Sequence, residues 1–445
     1  MERITAIYLA CMFSVFLLFP GLGGYAQITT YKWIAFLVLS GTYILITLIL
    51  RVQLALIGDQ PLPSPRQLVK SLSTVQICVI AFWFFSVLST LFSIDPGLSF
   101  WGGSRRDGLL TITLYCALFL LVSRYAQPKD WLLAVFGVGI SLNCLVALVQ
   151  FAGWNPFYLY PQGMNYYDAG IRYAGEFLGT IGNVDLLSAV LCLAIPAFWI
   201  GIWKIRDKRR FLLLIPLALS LVVLLTAFVA GGVVGIAGSA LLAIPVLAKG
   251  KKARIILALA LVLVLILGLL FVYAFGGHVG GFIYEASELL HGHWNDKFGS
   301  GRLYIWRNVI ELLPERLLLG GGPDTLDLRT DAAFERYDET HGILIRSVID
   351  NAHNEYLNVL VNQGLLALIC WLGALIGLAV QWVRKAPHHA GTALCGGAVL
   401  GYCIQAFFGL SSPISTPFFW FALALLHQCA AQPPEKKSIR GGRKS

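Results

Sequence analysis

Charge is scarce in this 445-residue chain: Asp, Glu, Lys and Arg make up 13% of it, against 58% hydrophobic residues. So little charge cannot cover a soluble globule of ordinary composition, and repeated apolar runs of about 20 residues take its place. Disulfide-forming positions are missing as well. All nine cysteines (11, 78, 116, 144, 192, 370, 395, 403 and 429) fall inside the apolar runs or at their ends, so no disulfide framework is implied. No Gly-x-Ser-x-Gly elbow occurs, which leaves an intramembrane serine hydrolase without its nucleophile signature. The absence of a Walker motif removes direct coupling to ATP. There is no tandem repeat and no long linker.

What is present is an all-α polytopic membrane protein. Hydropathy places spans near 4–20, 30–50, 71–93, 108–123, 131–152, 177–203, 211–229, 232–248, 253–275, 355–383, 390–409 and 416–431. This gives about twelve transmembrane helices. The chain divides into nine helices in 1–275, a polar loop at 276–354 with amphipathic helices, three helices in 355–431, and a basic tail at 432–445. The tail is expected to be disordered. The opening segment has some features of a cleaved signal, but removing it would upset the even span count, so a retained first span is expected.

Alternate loops differ sharply in charge. The set shared with the N-terminus holds 22 of the 33 basic residues and only 5 of the 23 acidic ones. By the positive-inside rule both termini are cytoplasmic and the 276–354 loop faces outward. The net charge of +10 therefore sets topology and meets lipid headgroups, and no nucleic-acid partner is implied.

The long polar loop carries most of the candidate chemistry. Gly299-Ser300-Gly301-Arg302 precedes Leu303, Trp306, Ile310 and Leu313, which recur at the period of an amphipathic helix. Ser300 is the expected N-cap, with Arg302 in the first turn. Further helices are expected after Gly320-Gly321-Gly322-Pro323-Asp324 and over Ala332 to Tyr337. With too few apolar residues for a core of its own, the loop is expected to lie on the bundle as a cap. It ends Asp350-Asn351-Ala352-His353-Asn354-Glu355, so a histidine stands where a span begins. Glu355, Asn358 and Asn362 then form a polar stripe, expected to face a cavity.

Other outer segments add polar groups. Arg105 and Arg106 stand on the side that disfavours positive charge, either paired to Asp107 or Asp95 or binding an anion through their planar forks. The 153–176 loop is rich in aromatics, as an interfacial belt or a sugar-stacking platform. It contains Arg172 and leads to Asn183-Val184-Asp185, where a carboxylate at membrane depth is a functional candidate that needs a partner. His291-Gly292-His293 lacks the further ligands that a metal site needs and reads as a solvated loop.

An outward cavity with arginines and one histidine suits transfer of a sugar from a polyprenyl pyrophosphate to an acceptor hydroxyl. Arginines can gather the charge of the leaving pyrophosphate. A histidine kept neutral at a helix N-terminus can take the acceptor's proton.

Several of these motifs together resemble the O-antigen ligase and polymerase family. They are Ser300-Gly301-Arg302 with Trp306, the Gly320-Gly321-Gly322-Pro323 turn, His353-Asn354-Glu355-Tyr356-Leu357 ahead of Gln363-Gly364-Leu365, Arg172 through Asn183, and Trp101-Gly102 with Arg106-Asp107-Gly108. The resemblance implies a class C glycosyltransferase-like fold in the bacterial cytoplasmic (inner) membrane. It further implies an undecaprenyl-pyrophosphate-linked glycan donor, a glycan, lipid or wall acceptor, inversion at the anomeric carbon, and no metal or cofactor. Carried onto this chain, it makes His353 the acceptor-activating residue and Arg302 and Arg172 the donor-phosphate contacts. Arg105, Arg106, Asn183, Asp185, Trp306, Asn354 and Glu355 complete the expected substrate site.

Two departures stand out. Asn183-Val184-Asp185 replaces the family's frequent Asn-Pro-Asn, and Val229-Ala230-Gly231 replaces a frequent Ser-Arg pair. The second removes one intramembrane phosphate contact, for which Arg105 beside Arg106 is the candidate replacement. A repeat-unit polymerase shares all of this chemistry. A polysaccharide or lipid-linked-sugar transporter would instead spread charge along related halves. A structural membrane scaffold would leave the placement of His353 and Arg302 unexplained.

Overall fold

The computed structural model describes residues 1–58, 63–160, 179–338 and 343–433, together with the backbone of two short strands between them. Side chains at 156, 336–338, 343 and 345 lie outside that description, as does the basic tail from 434 onward.

Helix α1 (Glu2–Cys11) runs on into a π-helical turn, Met12–Phe16, and is followed by α2 (Ile28–Leu56) and the short α3 (Pro65–Ser71). Next come α4 (Thr74–Leu91), α5 (Pro96–Trp101), α6 (Leu109–Tyr125) and α7 (Asp130–Phe151). Strands β1 (Tyr167–Asp168) and β2 (Ile171–Arg172) lead to α8 (Val184–Lys204), α9 (Leu214–Ala227), α10 (Ala230–Leu247) and α11 (Lys251–Phe275). The polar segment contributes α12 (Gly281–Leu290), α13 (Arg302–Glu311), β3 (Ala333–Asp338) and β4 (Ile343–Val348). Helices α14 (Glu355–Lys385), α15 (Ala390–Gln405) and α16 (Thr416–Ala431) close the chain.

Eight helical stretches, those containing α2, α4, α7, α8, α9, α10, α11 and α14, are long and apolar enough to cross a membrane; α6, α15 and α16 are shorter and also apolar. With α1 they stand at the twelve positions where hydropathy places spans. The chain is an all-α polytopic membrane protein. Helix α8 is apolar all round and buried along nearly its whole length, as expected of a helix at the centre of a bundle. Aromatics of α16 pack it against α15 and α14: Tyr402 stacks on Phe419 and Trp371 on Trp420, with centroids 4.0 and 4.8 Å apart. Helix α11 has no buried residue.

Two expectations about the polar segment are corrected. Residues 333–338 form a strand, not a helix, paired antiparallel with 343–348 from Ala333↔Val348 to Asp338↔Ile343. The stretch after Pro323 forms only a single 3-10 turn, Leu326–Leu328. Among the described residues the segment's buried apolar side chains form one small cluster, apart from the core of the bundle. Its Ile305, Val309, Leu326, Ile349 and Ala352 cluster with Val361 of α14, so it caps the bundle through that helix.

Helix α14 is broken at Gly364, whose φ of +87° is left-handed. The break exposes backbone groups that a membrane interior cannot leave unpaired. The glycine turn of the cap satisfies them. Gly321 N–H donates to Val361 O (3.1 Å), Gly322 N–H to Asn362 O (2.8 Å), and Leu365 N–H to Leu317 O (2.8 Å). Arg329 Nη1 also donates to Val361 O (3.0 Å), and Ser89 Oγ to Asn362 O (2.7 Å). A Cβ on Gly364 would run into the Leu318 carbonyl, and one on Gly320 into that of Asn362. Gly364→Ala is therefore expected to cost more than about 2 kcal/mol, from left-handed strain together with a collision between backbones. Thermal unfolding of the purified variant in detergent checks this, and a parental midpoint would refute it.

Candidate functional site

The site forms where α8 and α14 begin and α15 ends. Its foundation is the N-terminus of α14. Asn354 is the N-cap: its side-chain oxygen accepts from Tyr356 N–H (3.1 Å) and Leu357 N–H (3.0 Å). His353, one residue earlier, has left-handed φ (+48°), and its N–H donates to Asn351 Oδ1 at 2.9 Å. The imidazole is thus released from capping. It has no side-chain hydrogen bond among the described residues, and it is partly open. Trp306 fixes the loop below it, donating from Nε1 to Ala352 O at 3.0 Å.

Two cations act on the ring. Burial first, then the charges of Arg105 and Arg302, pull the His353 imidazole from its usual value down to about 4; Asp350 opposes them weakly. Arg105 grips Asp350 as a fork, Nε to Oδ2 at 2.8 Å and Nη2 to Oδ1 at 3.1 Å, and Ser104 Oγ adds a third bond at 2.7 Å. Burial would raise the Asp350 carboxyl, but Arg105 outweighs it and holds the group below its ordinary range. The partner of Arg105 is therefore Asp350, not Asp107 or Asp95. Asp95 caps α5 by accepting from Leu98 N–H.

Arg302 opens α13 behind Gly301, which takes the N-cap position with φ +81°; Ser300 is left-handed too and makes no cap, which corrects the expectation. The guanidinium is held by Phe408 O (Nε, 3.1 Å), Gly299 O (Nη1, 2.9 Å) and Asp185 Oδ2 (Nη2, 3.3 Å). Asp185 thus has the partner that its depth demands, and Asn183 caps α8 by accepting from Leu186 N–H at 3.0 Å. The turn before α10, where the Ser-Arg pair is missing, also reaches this point: a Cβ on Gly231 would meet the side chain of Phe408. Arg106 lies over the Trp33 ring, 5.2 Å from its centroid, and has no ion pair among the described residues. Arg172 pairs through its backbone with Tyr167, and its side chain lies outside the described residues.

The polar stripe is buried and bonded. Glu355 Oε1 accepts from Tyr402 Oη (2.7 Å), Asn358 Oδ1 accepts from Ala352 N–H (3.3 Å) and Asn362 Nδ2 (3.2 Å), and Asn362 Oδ1 accepts from Arg329 (2.6 Å). These side chains brace the broken helix under the site.

Residues 215–372 match the O-antigen ligase family model. No curated protein matches the chain. The matched stretch, about a third of the chain, carries Arg302, Trp306, the glycine turn, His353 and the break at Gly364, so over these residues the chain is similar to O-antigen ligases, a likeness that supports a glycosyl-transfer type of function. Arg105, Arg106, Arg172, Asn183 and Asp185 lie before the matched stretch, and the fold brings Arg105 and Asp185 to it.

Several supports of the site leave little trace in the sequence. Arg329 gave no signal beyond being one more cation on the disfavoured side. Asp324 accepts from Asp107 N–H (3.2 Å), and burial raises both carboxyls. Ser411 donates to Asp107 and so joins the α15–α16 loop to the 102–108 turn. Lys32 is wholly buried and donates to the carbonyls of Phe16 (3.2 Å) and Leu17 (3.1 Å), which satisfies backbone acceptors where the π turn ends. A lone lysine near the start of an apolar run was its only mark. Of the loop histidines, His291 Nδ1 bonds Ser287 O (2.8 Å) and His293 Nδ1 bonds Glu288 (3.0 Å).

Proposed function

We propose that the chain transfers a glycan from an undecaprenyl-pyrophosphate carrier to an acceptor hydroxyl on the outer face of the bacterial cytoplasmic membrane. The observation that carries this reading is the His353 ring, free of capping duty and within the electrostatic reach of the Arg105 and Arg302 guanidiniums. In the proposed step a ring nitrogen of His353 takes the acceptor's O–H proton as that oxygen bonds to the anomeric carbon. The bond from carbon to the phosphate oxygen breaks, and its electron pair leaves with the pyrophosphate. A single displacement of this kind inverts the anomeric centre. Arg302, with Arg106 and Arg172 as further contacts, gathers the charge of the leaving group. The roles of Trp306, Asn354, Asp185 and Arg105 are positioning: each orients His353, its loop or Arg302.

The electrostatics make the base depend on the donor. A ring at about 4 is neutral at physiological pH but weakly basic. An arriving pyrophosphate offsets the nearby guanidinium charge and raises the ring's proton affinity when it is needed. The acid limb of kcat/KM, which reports the free enzyme, is therefore expected near 4, below the usual histidine value, with activity lost as pH falls through it. The acid limb of kcat, which reports the donor complex, is expected at higher pH. Both are read from initial rates across pH on purified protein, and coincident limbs at an unshifted histidine value would contradict this account.

Surface-glycan profiling of a deletion strain tests the function itself. Unligated long chains indicate a ligase and single repeat units a polymerase; an unchanged profile would overturn the proposal.

A further inference from the structure

The far end of the same bundle carries a second constellation. Helices α8 and α14 begin at the candidate site and end there, at Lys204 and Lys385, and α15 starts beside them at Ala390. A cavity of about 620 Å³ opens among their termini, lined by Trp203, Lys204, Arg206, Arg210, Lys249 and His388. Two of its cations are fixed by backbone carbonyls: Lys204 Nζ donates to Leu247 O at 3.1 Å and Arg210 Nη1 to Ile205 O at 2.6 Å. Arg210 Nε is buried without a hydrogen-bond partner among the described residues. No carboxylate lines this cavity, and none of Lys204, Arg206, Arg210 and Lys249 has an ion pair among the described residues. Orientation in the membrane needs positive charge in these loops, but it needs neither a cavity nor anchored side chains.

A second cavity, about 330 Å³, meets the first at His389 and Ala390, which line both. It runs between α7, α8, α15 and α16 and is mainly apolar, with Phe136, Leu193, Leu394, Phe418 and Leu425 on its walls and Lys129 and Asp130 among its few charges. A basic chamber adjoining an apolar cleft across His389 and Ala390 has the form of an amphiphile with an anionic head. We propose that this end of the bundle holds an anionic phospholipid, its phosphate among Lys204, Arg206, Arg210 and Lys249 and an acyl chain in the cleft beyond His389. The start of α15, a helix of 16 residues, adds its N-terminal dipole to the field on the phosphate. With the orientation given by the charge bias, the leaflet that supplies the lipid is the cytoplasmic one, where anionic headgroups attract basic segments. A free phosphate or nucleotide would leave the cleft unused.

The test uses the full-length protein in phosphatidylcholine nanodiscs, with bound phosphatidylglycerol measured by native mass spectrometry. Phosphatidylglycerol is expected to bind about tenfold more tightly than phosphatidylcholine, and Arg206→Glu with Lys249→Glu, both exposed side chains, should abolish the preference. Leu133→Trp, which fills the cleft, should weaken phosphatidylglycerol binding and leave glycan transfer unchanged. The proposal is overturned if the preference is missing, or if it survives both variants. It is also overturned if inorganic phosphate or glycerophosphate displaces the lipid at comparable concentration, which would make the chamber an ion site. Displacement by undecaprenyl phosphate in preference to phosphatidylglycerol would overturn the choice of lipid.

Discussion

Replacing His353 by alanine is expected to lower glycan transfer about 10²- to 10⁴-fold while leaving the protein folded, inserted and able to bind its lipid-linked donor. The competing account of a histidine at this position is that it holds the start of α14. The hydrogen bonds assign that task to the next residue, since Asn354 accepts from both Tyr356 and Leu357. Asn354→Ala is accordingly the control. It should cost about 1 kcal/mol of stability and keep transfer within a few fold. The two variants separate chemistry from capping, because each account predicts a large effect in a different assay. If purified His353→Ala still transfers glycan at nearly the parental rate, His353 is structural and the proposed step fails.

Arg302→Ala is expected to lower transfer about 10²- to 10³-fold, and Arg302→Lys should not recover it. The guanidinium uses all three nitrogens at once, on Phe408 O, Gly299 O and Asp185. These bonds fix the plane of the fork and leave its remaining hydrogens and lone face for phosphate oxygens. A lysine offers one nitrogen on a flexible stem, so it can keep the charge but not the plane. It also leaves carbonyls and a carboxylate without donors at the mouth of the bundle. Parallel rates for the lysine variant and the parent, measured on the purified proteins, would reduce Arg302 to a point charge.

The spans were legible because their signal is local: about 20 apolar residues announce a membrane helix whatever surrounds them. The β3–β4 hairpin was not, since Ala333–Asp338 becomes a strand only through pairing with Ile343–Val348, and such pairing is set by the partner as much as by the segment. His353 and Arg302 could be singled out by polarity and position. The division of labour around them could not. Asn354, expected in the substrate site, also caps α14; Arg105, open between an ion pair with Asp107 or Asp95 and an anion site, grips Asp350, 245 residues away. Partners this distant in sequence leave no periodic trace. The break in α14 is half visible in the sequence, as a glycine turn and a Gln363-Gly364 pair with no link between them, and the fold shows that each satisfies the other's backbone.

The brevity of α15 and α16 bears on how a lipid-borne substrate is met. At 1.5 Å per residue, a helix of 16 residues rises about 24 Å, some 6 Å less than a hydrocarbon core of about 30 Å. Their connecting loop, which supplies Phe408 O and Ser411, therefore sits below the level that longer spans would reach. A bilayer accommodates such a shortfall by thinning locally. Under the proposed function, a headgroup approaching Arg302 along such a dip stays at its own depth, so its carrier need not be lifted out of the acyl layer before the reaction begins.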